Sequence, residues 1–153
     1  MRILVLSDAH GRLSFILDAI EAEPTAQYIY YLGDGIAQLE EAAQLHPEKT
    51  YITVTGNCDF SSKYPQRDIR ELGGKRIFAT HGYIEHVKDG LYDLRIDAND
   101  EHCTIVLYGH THEPKSDYVA GLYLFNPGSI RDGNYGVIDI IGKDIMCINK
   151  HLC

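Results

Sequence analysis

Seven residues of metal-ligating type punctuate this 153-residue sequence: Asp8 and His10, Asp34, Asn57, His81, and His110 with His112. Each follows a short apolar, β-branched or aromatic run. Ile3–Leu6 precedes Asp8-Ala9-His10, Tyr28–Leu32 precedes Gly33-Asp34, and Thr50–Thr55 precedes Gly56-Asn57. Lys75–Thr80 precedes His81-Gly82, and Thr104–Tyr108 precedes Gly109-His110-Thr111-His112. At the end of an extended run, Asp-x-His and His-x-His put two side chains on the same side of the backbone, because the strand period is two. Both can then reach one cavity. Mixed imidazole and carboxylate donors suit Mn, Zn, Fe or Ni rather than Ca. Seven side chains exceed one tetrahedral site and fit two sites that share a bridging carboxylate. Asp34, a lone carboxylate with lone pairs on both oxygens, is the natural bridge. Two such cations, about 3.5–4 Å apart, form the clamp used for in-line displacement at phosphorus, and a water bridging them becomes the attacking hydroxide. No Ser or Cys nucleophile is then required. Any one of these residues alone reads as a turn residue. The ordered set reads as a metal centre, since no turn chemistry calls for His at four such positions.

The elements that must position these residues follow from periodicity. Leu13, Ile16, Leu17 and Ile20 fall on one face of a helix that Pro24 closes, and Ile36, Leu39 and Ala43 give a second helix that ends before Pro47. Strands alternating with helices predict βαβ units and a largely parallel sheet, whose carboxyl edge binds ligands. Residues 69–72 and 75–80 flank Gly73-Gly74, a two-residue hairpin signal. Leu91, Leu94 and Ala98 suggest a third helix with Asp89 as its N-cap. The C-terminal part is strand-rich, with expected strands over 118–125, 135–141 and 145–149. No linker or composition shift divides the chain, so residues 1–153 are expected to form one domain.

Asp8-Ala9-His10, Gly33-Asp34, Gly56-Asn57, His81-Gly82 and Gly109-His110-Thr111-His112 together resemble the signature of the calcineurin-like metallophosphoesterases. Asn126-Pro127-Gly128-Ser129 resembles a further element of it. The short length and the Gly56-Asn57-Cys58-Asp59 variant are similar to the small prokaryotic phosphodiesterase branch. The resemblance implies an α+β fold (mixed α/β), a four-layer αββα sandwich of two packed mixed sheets flanked by helices. It implies one metal on Asp8, His10, Asp34 and His112 and another on Asp34, Asn57, His81 and His110, with Asn57 also orienting a phosphate oxygen. Many members of the family carry His after the Asn, thought to protonate the leaving oxygen. Cys58 stands there in this chain, followed by Asp59. A neutral thiol is a feeble proton donor, which points to phosphodiesters with good leaving groups. Asn57, Cys58, Asp59 and His81 are therefore the catalytic candidates, and Cys58 reads equally well as a small packed hydrophobe.

Composition bounds the partners. The formal charge of -8 disfavours a long nucleic-acid groove, while two divalent cations in the cleft would still draw in a small phosphate ester. Four cysteines without a C-x-x-C pair read as free thiols of a cytoplasmic protein, and Ile3–Ser7 is too short for a signal peptide or a membrane span. Arg12 and Arg131 are candidate substrate contacts that read otherwise as solvated surface residues. His46, His86, His102 and His151 fit no ligand pattern. The tyrosine-rich strands would suit a homo-oligomer interface. The expected activity is that of a binuclear, metal-dependent phosphodiesterase, with manganese the first choice of metal. The alternative is a catalytically silent scaffold on the same fold.

Overall fold

Alternation along the first strand sorts its side chains between two cores. In the computed structural model, which describes residues 1–60 and 62–153, strand β1 spans Arg2–Leu6. Its Ile3 and Val5 join one buried cluster and its Leu4 and Leu6 another. The chain continues through α1 (Leu13–Ala22), β2 (Tyr28–Tyr31), α2 (Ile36–Leu45) and β3 (Thr50–Thr53). Strands β4 (Arg67–Leu72) and β5 (Lys75–Thr80), helix α3 (Tyr92–Asp100) and strand β6 (Ile105–Leu107) come next. The last strands are β7 (Lys115–Val119), β8 (Leu122–Asn126), β9 (Asn134–Ile141) and β10 (Asp144–His151), with a short 3-10 turn at Ile130–Asp132.

Among the described residues, ten strands form two five-stranded sheets, ordered β10-β9-β1-β2-β3 and β4-β5-β6-β8-β7. Three buried clusters define four layers. Helices α1 and α2 lay Ile16, Ile20 and Leu39 on Leu4, Leu6, Ile29 and Tyr31. Between the sheets sit Ile3, Val5, Tyr30, Leu32, Ile77, Leu107, Phe125 and Ile138. Outside the second sheet, Leu94 and Ala98 of α3 pack on Phe78, Val106 and Leu124. The expected αββα sandwich is therefore the observed fold. Among the described residues, no helix is long and apolar enough to cross a membrane.

Three local expectations need correction. The sheets are mixed rather than largely parallel: only β1-β2-β3 and β5-β6-β8 run parallel. The hairpins β9-β10, β4-β5 and β7-β8 supply antiparallel edges, and β9 runs antiparallel to β1. The run 118–125 is not one strand. It breaks at Ala120 (φ 50°) and Gly121 (φ 84°), a left-handed pair that turns the chain back on itself. Helix α3 has Leu91, not Asp89, at its N-cap position and no side-chain cap bond, while Asp89 belongs to the preceding turn, its N–H donating to the His86 carbonyl. Asp93 supplies the negative charge in the first helical turn.

Candidate metal centre

The backbone presents the candidate ligands in a conformation that L-residues rarely adopt. Asp8, His10, Asp34, His110 and His112 all have φ between 42° and 71°. Left-handed non-glycine residues are uncommon and cluster where surrounding structure holds them for function. Here neighbouring loops do the holding. The N–H groups of Asp8 and Ala9 donate to the Gly33 and Asp34 carbonyls, both at 2.9 Å. The buried Tyr31 hydroxyl donates to the Asp34 carbonyl at 2.6 Å and accepts from the Ala9 N–H at 3.1 Å. Glycines permit this closeness. A Cβ on Gly33 would meet the Gly56 Cα at 2.7 Å, and one on Gly56 would collide with the Asp34 carboxylate.

Within this frame the ligand atoms gather in two groups, linked by a third of His10, Asp34 and Cys58. Asp8, His10 and His112 form one, and Asp34, His81 and His110 the other, with the donor atoms of each group within 4.8 Å of one another. Asp8 Oδ2 accepts from the Ser7 hydroxyl at 2.6 Å and the His110 N–H at 3.1 Å. Its Oδ1 is buried with no hydrogen-bond partner, 3.3 Å from His112 Nε2 and 3.6 Å from His10 Nε2. His81 Nδ1 lies 2.7 Å from the Leu32 carbonyl, which fixes the proton on Nδ1. His81 Nε2 is left buried without a hydrogen bond, 3.2 Å from Asp34 Oδ2. Asp34 Oδ1 accepts from the Cys58 N–H at 2.8 Å. The nitrogens His10 Nε2 and His112 Nε2 face each other at 3.2 Å. An orphaned buried polar atom costs about 1–3 kcal/mol. Two of them, aimed into one cluster of imidazoles and carboxylates, fit cations at this centre.

The electrostatics agree with that donor set. Burial alone would raise the Asp34 carboxyl, but His81, the Cys58 N–H and His10 hold it down at about 2. Burial lowers His81, and the carboxylates of Asp34 and Asp8 reverse the direction and raise it. His110 is lowered by burial, with His81 and Lys88 adding to the effect. The centre carries two buried carboxylates, a surplus of negative charge that divalent cations would neutralise.

The remaining candidates stand at different distances from this cluster. The Asn57 side chain is exposed on the rim and its amide donates to Cys58 Sγ at 3.6 Å. Cys58 is exposed, and its Sγ falls within 4.8 Å of ligand atoms of His10 and Asp34. Burial of the sulfur and then the Asp34 charge push the thiol up, so it stays protonated at neutral pH. Asp59 does not fit a proton donor. Its Oδ2 accepts from the N–H groups of Asp34 (2.7 Å) and Gly56 (2.8 Å). Its Oδ1 accepts from Gly35 (2.9 Å) and Ile36 (3.2 Å). A carboxylate with both oxygens engaged by four backbone donors is a positioning clamp. Arg12 donates to the Arg131 carbonyl at 3.1 Å and lies 4.1 Å over the Phe15 ring. The Arg131 N–H points to the Asp8 carbonyl at 3.4 Å. His86 is an exposed turn residue with φ 54°.

Supporting residues that the motifs did not reveal lie behind the ligands. The Ser129 hydroxyl donates to the Asp8 carbonyl at 2.7 Å. Asn126 Nδ2 reaches the Gly109 carbonyl and the Thr111 hydroxyl, at 3.3 and 3.0 Å, so the Asn-Pro-Gly-Ser segment braces both ligand loops. The strand that delivers His81 ends on Thr80, whose hydroxyl donates to buried Glu85 at 3.0 Å, and Glu85 pairs with Arg67 at 2.7 Å. Only the Asn-Pro-Gly-Ser segment carried a signal, through its likeness to a family element.

A fold of two mixed sheets with a carboxylate–imidazole cluster at the strand ends defines a metallophosphoesterase architecture. The family description "Calcineurin-like phosphoesterase superfamily domain" matches residues 1–140, and the chain belongs to that superfamily. It is 31% identical over 132 residues to the probable metallophosphoesterase YsnB of Bacillus subtilis, covering 86% of this chain and 76% of that one. It is 29% identical to the phosphodiesterase YfcE of Escherichia coli, covering 97% and 93% of the two chains. The crystal structure of a predicted phosphoesterase from Streptococcus pneumoniae superposes with a TM-score of 0.84 at 25% identity, covering 98% of this chain and 88% of that one. These relatives make the chain a small prokaryotic-type metallophosphoesterase, a hydrolase of phosphoester bonds by family.

Proposed function

We propose that this protein is a binuclear metal-dependent phosphodiesterase acting on small phosphodiesters. The observation that carries the reading is the pair of neighbouring donor groups, Asp8-His10-His112 and Asp34-His81-His110, joined through His10 and Asp34, with Asp8 Oδ1 and His81 Nε2 buried without a hydrogen bond. Asp34 is the proposed bridge and Asn57 a seventh ligand through its amide oxygen. Manganese is the first choice, with zinc, iron and nickel as alternatives of the same ligand chemistry.

When bound, the two cations supply Lewis acidity and a water deprotonated near neutral pH. The chain's own residues do the rest. The Leu32 carbonyl holds His81 with Nε2 aimed inward. Asp59 fixes the Asp34 loop through three backbone N–H bonds and its own loop through a fourth, so the Asp34 carboxylate is held in place in advance. Asn57, exposed beside Cys58, is the residue proposed to orient a phosphate oxygen. No covalent intermediate is invoked. The four free cysteines suit a reducing, cytoplasmic setting.

The test is hydrolysis of bis-p-nitrophenyl phosphate after metal removal and reconstitution with manganese, nickel or zinc. Metal-restored, chelator-sensitive turnover is expected. Silence with all three metals contradicts the enzyme reading and favours a scaffold on this fold.

A further inference from the structure

Beside the candidate centre, a cavity of about 540 Å³ opens between the start of α2 and the segment that carries Cys58 and Tyr64. His10 and Cys58 line its inner end, so it is continuous with the cluster of ligand atoms. Ile36 and Ala37 give it an apolar wall, and Tyr64 and Phe60 add two aromatic rings. The two rings differ in state. Tyr64 is fixed: its hydroxyl reaches Glu40 Oε2 at 3.4 Å and Lys63 Nζ sits 5.4 Å over its ring. Lys63 in turn pairs with Glu40 at 3.2 Å. Phe60 is 88% exposed, the most exposed large apolar side chain among the described residues. An aromatic ring so placed, at the mouth of a cavity leading to a phosphoryl site, has a face available for stacking. Gln38 and the Glu40–Lys63 ion pair add polar groups to the lining. Pockets for small ligands combine apolar walls with a few polar groups in volumes of about 300–1,000 Å³.

We infer that this cavity is the subsite for one ester arm of the substrate, and that the arm it takes is a planar aromatic or heteroaromatic group of nucleobase type stacked on Phe60. This rests on the phosphoesterase reading above and adds to it the class of substrate. The phosphoryl group sits at the centre while the ring slides past His10 and Cys58 between Phe60 and the wall of α2. A hydrocarbon-only arm would leave the Gln38–Glu40–Lys63 edge unused, whereas a heterocycle meets it with donors and acceptors.

The experiment uses calorimetry on the manganese-loaded protein, with phenylphosphonate and methylphosphonate as probes that share the phosphoryl group and differ in the arm. Aromatic stacking predicts that wild type binds phenylphosphonate about two- to tenfold more tightly than methylphosphonate. Phe60→Ala, at an exposed position that cannot unfold the core, brings the two affinities together. Phe60→Tyr keeps the preference, as does Tyr92→Ala, a control at an exposed aromatic on α3. Equal affinities in wild type, or an undiminished preference in Phe60→Ala, would overturn the proposal. If neither phosphonate binds, the phosphoryl site itself is absent, an outcome distinct from binding without arm preference, and the subsite falls with it.

Discussion

Replacing Asp59 by alanine removes one carboxylate and strands four backbone donors, those of Asp34, Gly35, Ile36 and Gly56. Hydrogen bonds to a charged group contribute about 1.5–3 kcal/mol each, and loss of an ordinary helix N-cap costs about 0.5–2 kcal/mol. Asp59 is only partly buried, so water takes over some of the four bonds after truncation. A net loss of about 3 kcal/mol is expected. With a urea m-value of about 2 kcal/mol/M, the unfolding midpoint falls by about 1.5 M. The effect on the centre is separate: Asp34 sits at φ 62° and depends on this clamp to face the histidines. Manganese affinity should therefore drop at least tenfold in the folded variant, while Asp59→Asn, which keeps one acceptor oxygen, falls between. Urea unfolding of metal-free protein and manganese titration below the transition read the two effects. A midpoint within about 0.3 M of wild type, together with unchanged manganese affinity, would refute the clamp.

Gly56→Ala puts a Cβ against the Asp34 carboxylate and 2.6 Å from the Asp34 backbone nitrogen, so thermal melts should show a loss of about 3 kcal/mol with metal binding abolished. Asp34 is held at about 2, below its ordinary value of 3.8, so its contribution to stability is complete above that ordinary value and is lost as pH falls through about 2. Acid unfolding in chelator should accordingly be shallower for Asp34→Asn. Cys58→His gives the leaving group a better proton donor, and the dependence of rate on leaving-group pKa should flatten; an identical slope in both proteins would remove Cys58 from the leaving-group side.

What the sequence revealed and what it concealed divide along contact distance. That Asp8, His10, Asp34, His81, His110 and His112 come together was legible because each lies within a few residues of a strand end, where local pattern and final placement coincide. The Gly73-Gly74 hairpin was legible for the same reason. The Ala120-Gly121 turn was hidden inside an unbroken run of Tyr118, Val119, Leu122 and Tyr123, where two short strands read as one. The mixed character of the first sheet depends on β9 pairing with β1, as in Arg2 opposite Asp139, which no local pattern encodes. The clamp made by Asp59 was not legible, because it draws on backbone donors 23 to 25 residues earlier in addition to its own loop. Buried Glu85 was silent because its partners, Arg67 and Thr80, lie on two different strands.

The central claim is two metals at one shared centre, and counting them tests it most directly. Metal-free protein titrated with manganese should bind two ions per chain and give the exchange-coupled electron paramagnetic resonance signal of a bridged pair. Asp34→Asn should lose that coupling. One ion per chain, or two ions that show no coupling in wild type, would contradict the account.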